Sequence, residues 1–303
     1  MYDTLTLWHR GACMELAPLL SRVAEHQRGQ SYYVTGDLKN LNVVLTDTGV
    51  SIKGSLAKYF LDDNMKTLNR GDSQRAIEAL CDTLHLPLHL AKITRADIAH
   101  NFIMKHPPAV YYPYLGDCHH FKRFAKATSL YYENGNKTKL FYDKIAEVKY
   151  RGIQVHDILQ NQNLLRFELR FMQRLDKTFN VEEVTAQMLY DETFYMAMID
   201  RWVNEYKTIN KITKMAFKEN VQLEPKDFMN QFYLQTILSS GGQTQLFELV
   251  EEARRRGQFK RPEYASRTKA MIKDLCQLDS LTEPSELIQE LDSKIKQVQT
   301  YYR

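Results

Sequence analysis

The chain has 303 residues, 44% of them hydrophobic, which suits one large globular domain or two of ordinary size; no run of about 18 apolar residues offers a membrane span. Its 41 Lys and Arg against 37 Asp and Glu leave a mild net charge of +4, unevenly placed along the sequence. Cys13, Cys81, Cys118 and Cys276 are scattered without a Cys-x-x-Cys pair, which excludes a disulfide-dense scaffold and predicts reduced thiols.

The opening residues, Met1-Tyr2-Asp3-Thr4-Leu5-Thr6-Leu7-Trp8, alternate like a strand and lack the basic region and long apolar core of a secretory signal. A cytosolic protein is expected. Further strand signals fall at roughly 50–58, 92–102, 128–133, 138–145 and 163–172. Between them, Ser73–Leu84 places Ala76, Ile77, Leu80, Cys81 and Leu84 on one helical face, with Ser73 as a candidate cap. Asn134-Gly135 predicts a type I′ hairpin turn, because both residues tolerate positive φ; a two-residue turn there sets Tyr142 opposite the small Ala127.

After about residue 175 the periodicity becomes helical. Asn180-Val181-Glu182-Glu183 reads as a capping box, and the stretch to Ile212 spaces Met196, Ile199, Trp202, Val203 and Tyr206 as a packing face. Glu224-Pro225 opens a helix to Leu238, Gly241-Gly242 breaks the chain, and helices are expected at 243–256, 262–277 and 285–299. The prediction is an α+β fold: a mainly antiparallel sheet packed by helices in residues 1–175, then a mostly α-helical region in residues 176–303.

Chemistry concentrates on two strands. In Leu164–Phe171, Leu165, Phe167, Leu169 and Phe171 share one face and Arg166, Glu168 and Arg170 the other. In Ile93–Ile98, Arg95 and Asp97 likewise face away from Ala96 and Ile98. Cross-strand ion pairs explain these charges as they stand. The alternative gives each group a task beside Tyr142, whose phenol, with an ordinary pKa of about 10, needs help to lose its proton. Asp97 and Glu168 are hard oxygen ligands suited to Mg²⁺ or Mn²⁺. Lys144, two residues from Tyr142 on the expected strand, is placed to bind a phosphate or lower the phenol pKa, and Arg166 and Arg170 to clamp phosphate oxygens. Asp143 and Glu147 compete as ligands.

Eighteen tyrosines make packing the default role of any one of them. Tyr131 and Tyr132, across the hairpin, are secondary nucleophiles or base-stacking residues, and Tyr111, Tyr112 and Tyr114 form an aromatic loop that stacks on a base or simply packs. No His-hydrophobe-His triplet occurs; His119-His120 is adjacent and reads as a loop or surface pair, and Pro87 disfavours a helical metal pair of His85 and His89. Near the C-terminus, Arg254, Arg255, Arg256, Lys260, Arg261, Arg267 and Lys269 form either a phosphate-binding surface or a solvated helix face.

The segments Ile52-Lys53-Gly54-Ser55-Leu56-Ala57-Lys58, Ile93-Thr94-Arg95-Ala96-Asp97, Leu140-Phe141-Tyr142-Asp143-Lys144 and Leu164–Arg170 occur in an order that resembles filamentous-phage gene II/X replication endonucleases. They are also similar to the tyrosine and acidic motifs of plasmid rolling-circle initiators. The resemblance covers about residues 1–215. It implies a strand-specific nick at a replication origin in a bacterial host, a covalent 5′-phosphotyrosine on Tyr142, a freed 3′ hydroxyl, and later rejoining of the displaced strand. Lys144 matches the lysine of the tyrosine motif, and Asp97 and Glu168 match the acidic positions. Host helicase and DNA polymerase are the implied partners beside origin DNA, and a homodimer is left open. A noncatalytic origin-binding regulator is the alternative.

Overall fold

Alternation of apolar and polar side chains builds the first half of the protein. A computed structural model describes all residues except 12, 156, 216–221, 223, 240, 241, 278–281 and 303. Its strands are β1 (Tyr2–Arg10), β2 (Ser21–Arg28), β3 (Ser31–Leu38), β4 (Leu41–Thr46), β5 (Gly49–Ser55), β6 (Lys92–Met104), β7 (Leu115–Cys118), β8 (Lys122–Lys126), β9 (Ser129–Glu133), β10 (Lys137–Asp143), β11 (Asn163–Phe171), β12 (Ile209–Lys211), β13 (Thr213–Met215) and β14 (Thr282–Pro284). The α-helices are α1 (Leu56–Leu61), α2 (Arg70–Leu84), α3 (Lys144–Tyr150), α4 (Leu175–Phe179), α5 (Glu192–Lys207), α6 (Pro225–Ser239), α7 (Gly242–Arg255), α8 (Glu263–Gln277) and α9 (Glu286–Tyr301).

Ten strands form one antiparallel sheet in the order β2-β3-β4-β5-β1-β6-β11-β10-β9-β8. Two hairpin runs, β2–β5 and β8–β10, are thus joined through the non-consecutive pairings β5–β1, β1–β6 and β6–β11 at the centre of the sheet. The apolar face buries Leu5 and Leu7, Ile52, Ile98 and Phe102, and the expected row Leu165, Phe167, Leu169 and Phe171. Helices α2, α5 and α9 cover it: Ile77, Leu80, Trp202, Leu291 and Ile295 all enter this core. Phe167 stacks on Phe141 at 4.4 Å and lies 4.9 Å from Trp202, so the centre of the sheet is held by aromatic contacts.

The α+β architecture and the helical C-terminal region are as expected. The core, however, does not divide at residue 175, because α5 and α9 belong to the same apolar cluster as β1 and β6. A separate small cluster, with Ile237, Val250, Ala265 and Ile272, holds α6, α7 and α8 together. The predicted helices at 243–256, 262–277 and 285–299 correspond to α7, α8 and α9. The expected break at Gly241-Gly242 is described only at Gly242, whose φ of +85° begins α7; Gly241 lies outside the described residues.

Local corrections have local causes. Helix α2 is capped by Asn69, whose side chain accepts from Asp72 N at 2.8 Å while Asp72 reaches back to Asn69 N, so Ser73 is inside the helix. Asn180 ends α4 with φ of +53° instead of opening a helix; Asp191 caps α5 by accepting from Phe194 N. In the β9–β10 hairpin Asn134 Oδ1 accepts from the backbone of Asn136 and Lys137, and none of Asn134, Gly135 and Asn136 has positive φ. The turn is therefore not type I′, the register moves by two, and Tyr142 faces Ser129 in place of Ala127.

Candidate active site

Strand register decides which charges meet. Tyr142 of β10 pairs with Arg166 of β11, Leu140 with Glu168, and Arg170 with Asp97 of β6, all in one antiparallel ladder. Side chains two residues apart share a face, so Tyr142, Arg166, Glu168, Arg170 and Asp97 project together, on the side opposite α2, α5 and α9. All but the buried Arg166 border a cleft of about 360 Å³ whose rim includes Asn40, Lys58, Arg151 and Glu147.

A bulge brings in a further acid. The β1–β6 register shifts between Tyr2 and Leu5, so Asp3 and Thr4 depart from strict alternation and Asp3 reaches the polar side. Asp3 is 5% exposed, accepts from Arg166 and from the Ser55 hydroxyl, and receives Asn64 Nδ2 at 3.4 Å. Burial alone would raise its pKa, but Arg166 and these donors hold it below the usual carboxylate range. The two consecutive polar residues in an otherwise alternating strand were the signal for this bulge.

Arg166 has no exposed surface and ties the site together. Besides Asp3 it donates to Glu168 at 3.4 Å, to the Asn64 carbonyl at 3.1 Å and to Asn101 Oδ1 at 3.2 Å. Arg170 is more open, 2.7 Å from Glu168 and 3.9 Å from Asp97. Asp97 is fully buried and gripped by Arg95 at 2.6 and 2.9 Å. Burial nevertheless pushes its carboxyl up to about 6, with Glu168 adding to the rise and Arg95 opposing it.

Tyr142 donates its phenol to Glu168 Oε2 at 3.2 Å. Burial lifts its pKa well above 10; Arg166 pulls it down and Glu168 pushes it further up. The phenol is thus protonated at rest, beside a carboxylate that accepts its proton in a hydrogen bond.

Lys144 does not share the Tyr142 strand face. Asp143 ends the strand by capping α3, accepting from Ala146 N at 2.9 Å, so Lys144 is the first residue of a helix. It remains at the site from a different direction: its buried ammonium donates to Asn64 Oδ1 at 2.9 Å and Glu147 Oε2 at 2.7 Å. Burial lowers its pKa and Arg166 lowers it further, while Glu147 opposes both.

Gly54, in the segment before α1, has a steric reason. A Cβ there would lie 2.7 Å from Leu41 Cδ2 and 2.9 Å from the Asn40 carbonyl. Its absence lets the β3–β4 turn close over β5, where Asn40 donates to the Ser55 carbonyl at 2.9 Å and lines the cleft.

Other candidates lie elsewhere. Tyr131 is on the polar face, stacked on Phe124 at 4.8 Å with Lys126 over its ring. Tyr132 is buried, its hydroxyl bonded to the Leu115 and Gly116 carbonyls. Tyr111 and Tyr112 are core residues bonded to Glu290 and the Thr128 carbonyl. His119 and His120 are exposed neighbours in a turn. On α7, α8 and the connection between them, Arg254, Arg256 and Lys269 pair with Glu251 or Glu252, Arg261 and Arg267 flank the Tyr264 ring, and Arg255 and Lys260 are exposed.

Asp97 and Glu168 have the donor type a divalent cation prefers. Among the described residues no three His, Cys, Asp or Glu side chains converge on a metal position. Two acids at an open cleft suit Mg²⁺, which keeps waters and takes substrate phosphate oxygens to complete its shell. Arg95 and Arg170 would have to yield part of their hold on those oxygens.

Residues 31–191, more than half the chain, match the family model that describes the N-terminal part of the phage replication-associated protein, the gene II product. The chain belongs to this family. It is a filamentous-phage gene II-type replication protein, a family whose members are in general nicking endonucleases. A search of curated proteins finds no match. The family match runs from β3 to the cap of α5 and contains Asp97, Tyr142, Glu168 and Arg170, whereas Asp3 precedes it. Among the described residues no helix is long and apolar enough to cross a membrane.

Proposed function

We propose that this replication initiator nicks one strand of origin DNA through Tyr142 and later rejoins it. The phenol oxygen attacks a phosphodiester, its proton passing to Glu168; a Tyr142 O–P bond forms as the P–O3′ bond breaks, leaving a 5′-phosphotyrosine and a 3′ oxygen that takes up a proton. One phosphoester replaces another, so resealing by a new 3′ hydroxyl needs no ATP. The observation that carries this reading is the Tyr142–Glu168 hydrogen bond at 3.2 Å in a cleft edged by Arg170, Arg95 and Arg151. Those cations suit the phosphate, while Arg166 and Lys144 act on the phenol and acids from within. Mg²⁺ or Mn²⁺ held by Asp97 and Glu168 would polarise a phosphate oxygen. Arg254, Arg255, Arg256, Lys260, Arg261, Arg267 and Lys269 hold flanking duplex by phosphate contacts, and host helicase and polymerase extend the freed 3′ end.

The test incubates the protein with single-stranded segments of its own replicon and Mg²⁺ or Mn²⁺. A covalent adduct mapped by peptide mass spectrometry to Tyr142, absent in Tyr142→Phe and absent with chelator, is expected, with DNA binding retained. An adduct on Tyr131, or cleavage without a protein–DNA link, would reject the assignment. The regulator reading, origin binding without cutting, draws support from one feature: both acids are already neutralised by arginines. Binding with no adduct across metals and origin segments would select it.

A further inference from the structure

Beside the cleft lies a second cavity of about 540 Å³, and the two share Asn40, Lys58, Asn64 and Glu147 along their common edge. Its walls differ from those of the cleft. Met65, Val148, Ile153 and Val155 supply an apolar wall, with Lys39, Asp62 and Asp63 on the remaining lining, and Val148, Val155 and Met65 belong to a small hydrophobic cluster with Ile145 and Leu164 behind them. Ile153 keeps 49% of its surface exposed, so this apolar wall faces outward and is not closed into the core. Gln154, between Ile153 and Val155, is exposed and lines the same space.

A flat group with apolar faces and hydrogen-bonding edges is what such a mixed space accommodates, its ring against the apolar wall and its edges toward the polar and charged side chains. Apolar walls take the faces of a ring, and an amide, which both donates and accepts, reads a base edge. The neighbouring cleft carries the cations for a phosphate. Resting on the nicking reading, we propose that this cavity holds one unpaired nucleobase next to the scissile phosphate, and that Gln154 takes part in choosing it. A base can enter only from a single or locally melted strand, since a paired base presents neither face. The wall residues Met65 and Val148 come from either side of the nucleophile's hairpin, in the α1–α2 connection and in α3, the helix that Asp143 caps directly after Tyr142.

The experiment contains no cutting step. Full-length protein carrying Tyr142→Phe is used to select from a randomised pool of single-stranded DNA, and the bound strands are sequenced. One position with a base preference of roughly tenfold or more is expected. Val155→Trp, which fills the cavity, should flatten that position and leave the rest of the motif; Gln154→Ala should change the base preferred there. Ile153→Trp, at the exposed rim, does the same work if Val155→Trp lowers the unfolding temperature. Folded variants with an unchanged motif, or a pool that yields no base preference, would overturn the pocket. A missing tyrosyl adduct in the wild type would instead defeat the nicking reading, so the two failures are separate results.

Discussion

Arg166 shows how a charge can be placed in a protein interior only when every neighbour is arranged for it. Its guanidinium meets Asp3, Glu168, Asn101 and the Asn64 carbonyl without contact with solvent. Removing one side of such a network leaves the other charges buried and unpaired. Arg166→Met is expected to cost about 3–5 kcal/mol at neutral pH in denaturant unfolding. His100 offers a pH test. Burial, with the Arg166 guanidinium adding to it, holds its pKa down at about 4 from an ordinary 6.5. The folded state therefore binds fewer protons than the unfolded chain between these values, so this group's stability contribution is present above about 6.5 and is lost as pH falls towards 4. His100→Phe should flatten the acid limb of a stability-versus-pH curve in that window. At this scale the sequence was readable wherever alternation held: Arg166, Glu168 and Arg170 were assigned to their common face correctly. It was not readable at Asp3, where a bulge breaks the period, nor at Lys144, where Asp143 turns strand into helix.

Among elements, capping decided where the reading succeeded. Asn and Asp serve at both ends of helices, because their short side chains bond nearby backbone and they tolerate positive φ. Asn180 stands at an end and Asp191 at a start, and the local sequence gives both the appearance of a start. Asp191→Ala should lower stability by about 1 kcal/mol in thermal or denaturant melts through loss of the bond to Phe194 N. Asn180→Gly, compatible with the same left-handed conformation, should change it by only a few tenths of a kcal/mol. Strands β2, β3, β4, β7 and β8 fall outside the expected strand segments: β2 is exposed along nearly its whole length and β8 has no fully buried residue, so neither shows a hydrophobic face, whereas β3 and β4 alternate and bury Val34, Val43 and Leu45 and did carry the period-2 signal. Long strands buried on one side, β6 and β11, were the legible ones.

For the molecule as a whole, charge and topology matter most. If the exposed cations of α7, α8 and the connection between them meet DNA, double replacement of Lys260 and Arg261 in that connection by Ala should reduce the salt slope of duplex binding by about 2, uniformly across sequences. A slope that does not change would make this a solvated helix face, since Arg254, Arg256 and Lys269 already have acidic neighbours. The architecture could be inferred as α+β because the two periods change near residue 175, but the sharing of one core by β1, α5 and α9 depends on contacts far apart in sequence.

The meeting of β1 with β6 has a consequence for assembly. The β2–β5 and β8–β10 hairpins can zip from their own turns, whereas β1–β5, β6–β11 and above all β1–β6 join distant segments, Thr6 meeting Arg95 across almost a third of the chain. Asp3 stands on one bank of that seam, Asp97 on the other, and Arg166 reaches across from β11. A chain opened at this seam therefore keeps Tyr142, Glu168, Arg170 and Asp97 together on β10, β11 and β6 but takes Asp3 away from Arg166, so the buried guanidinium has its full set of partners only when the two halves of the sheet are joined.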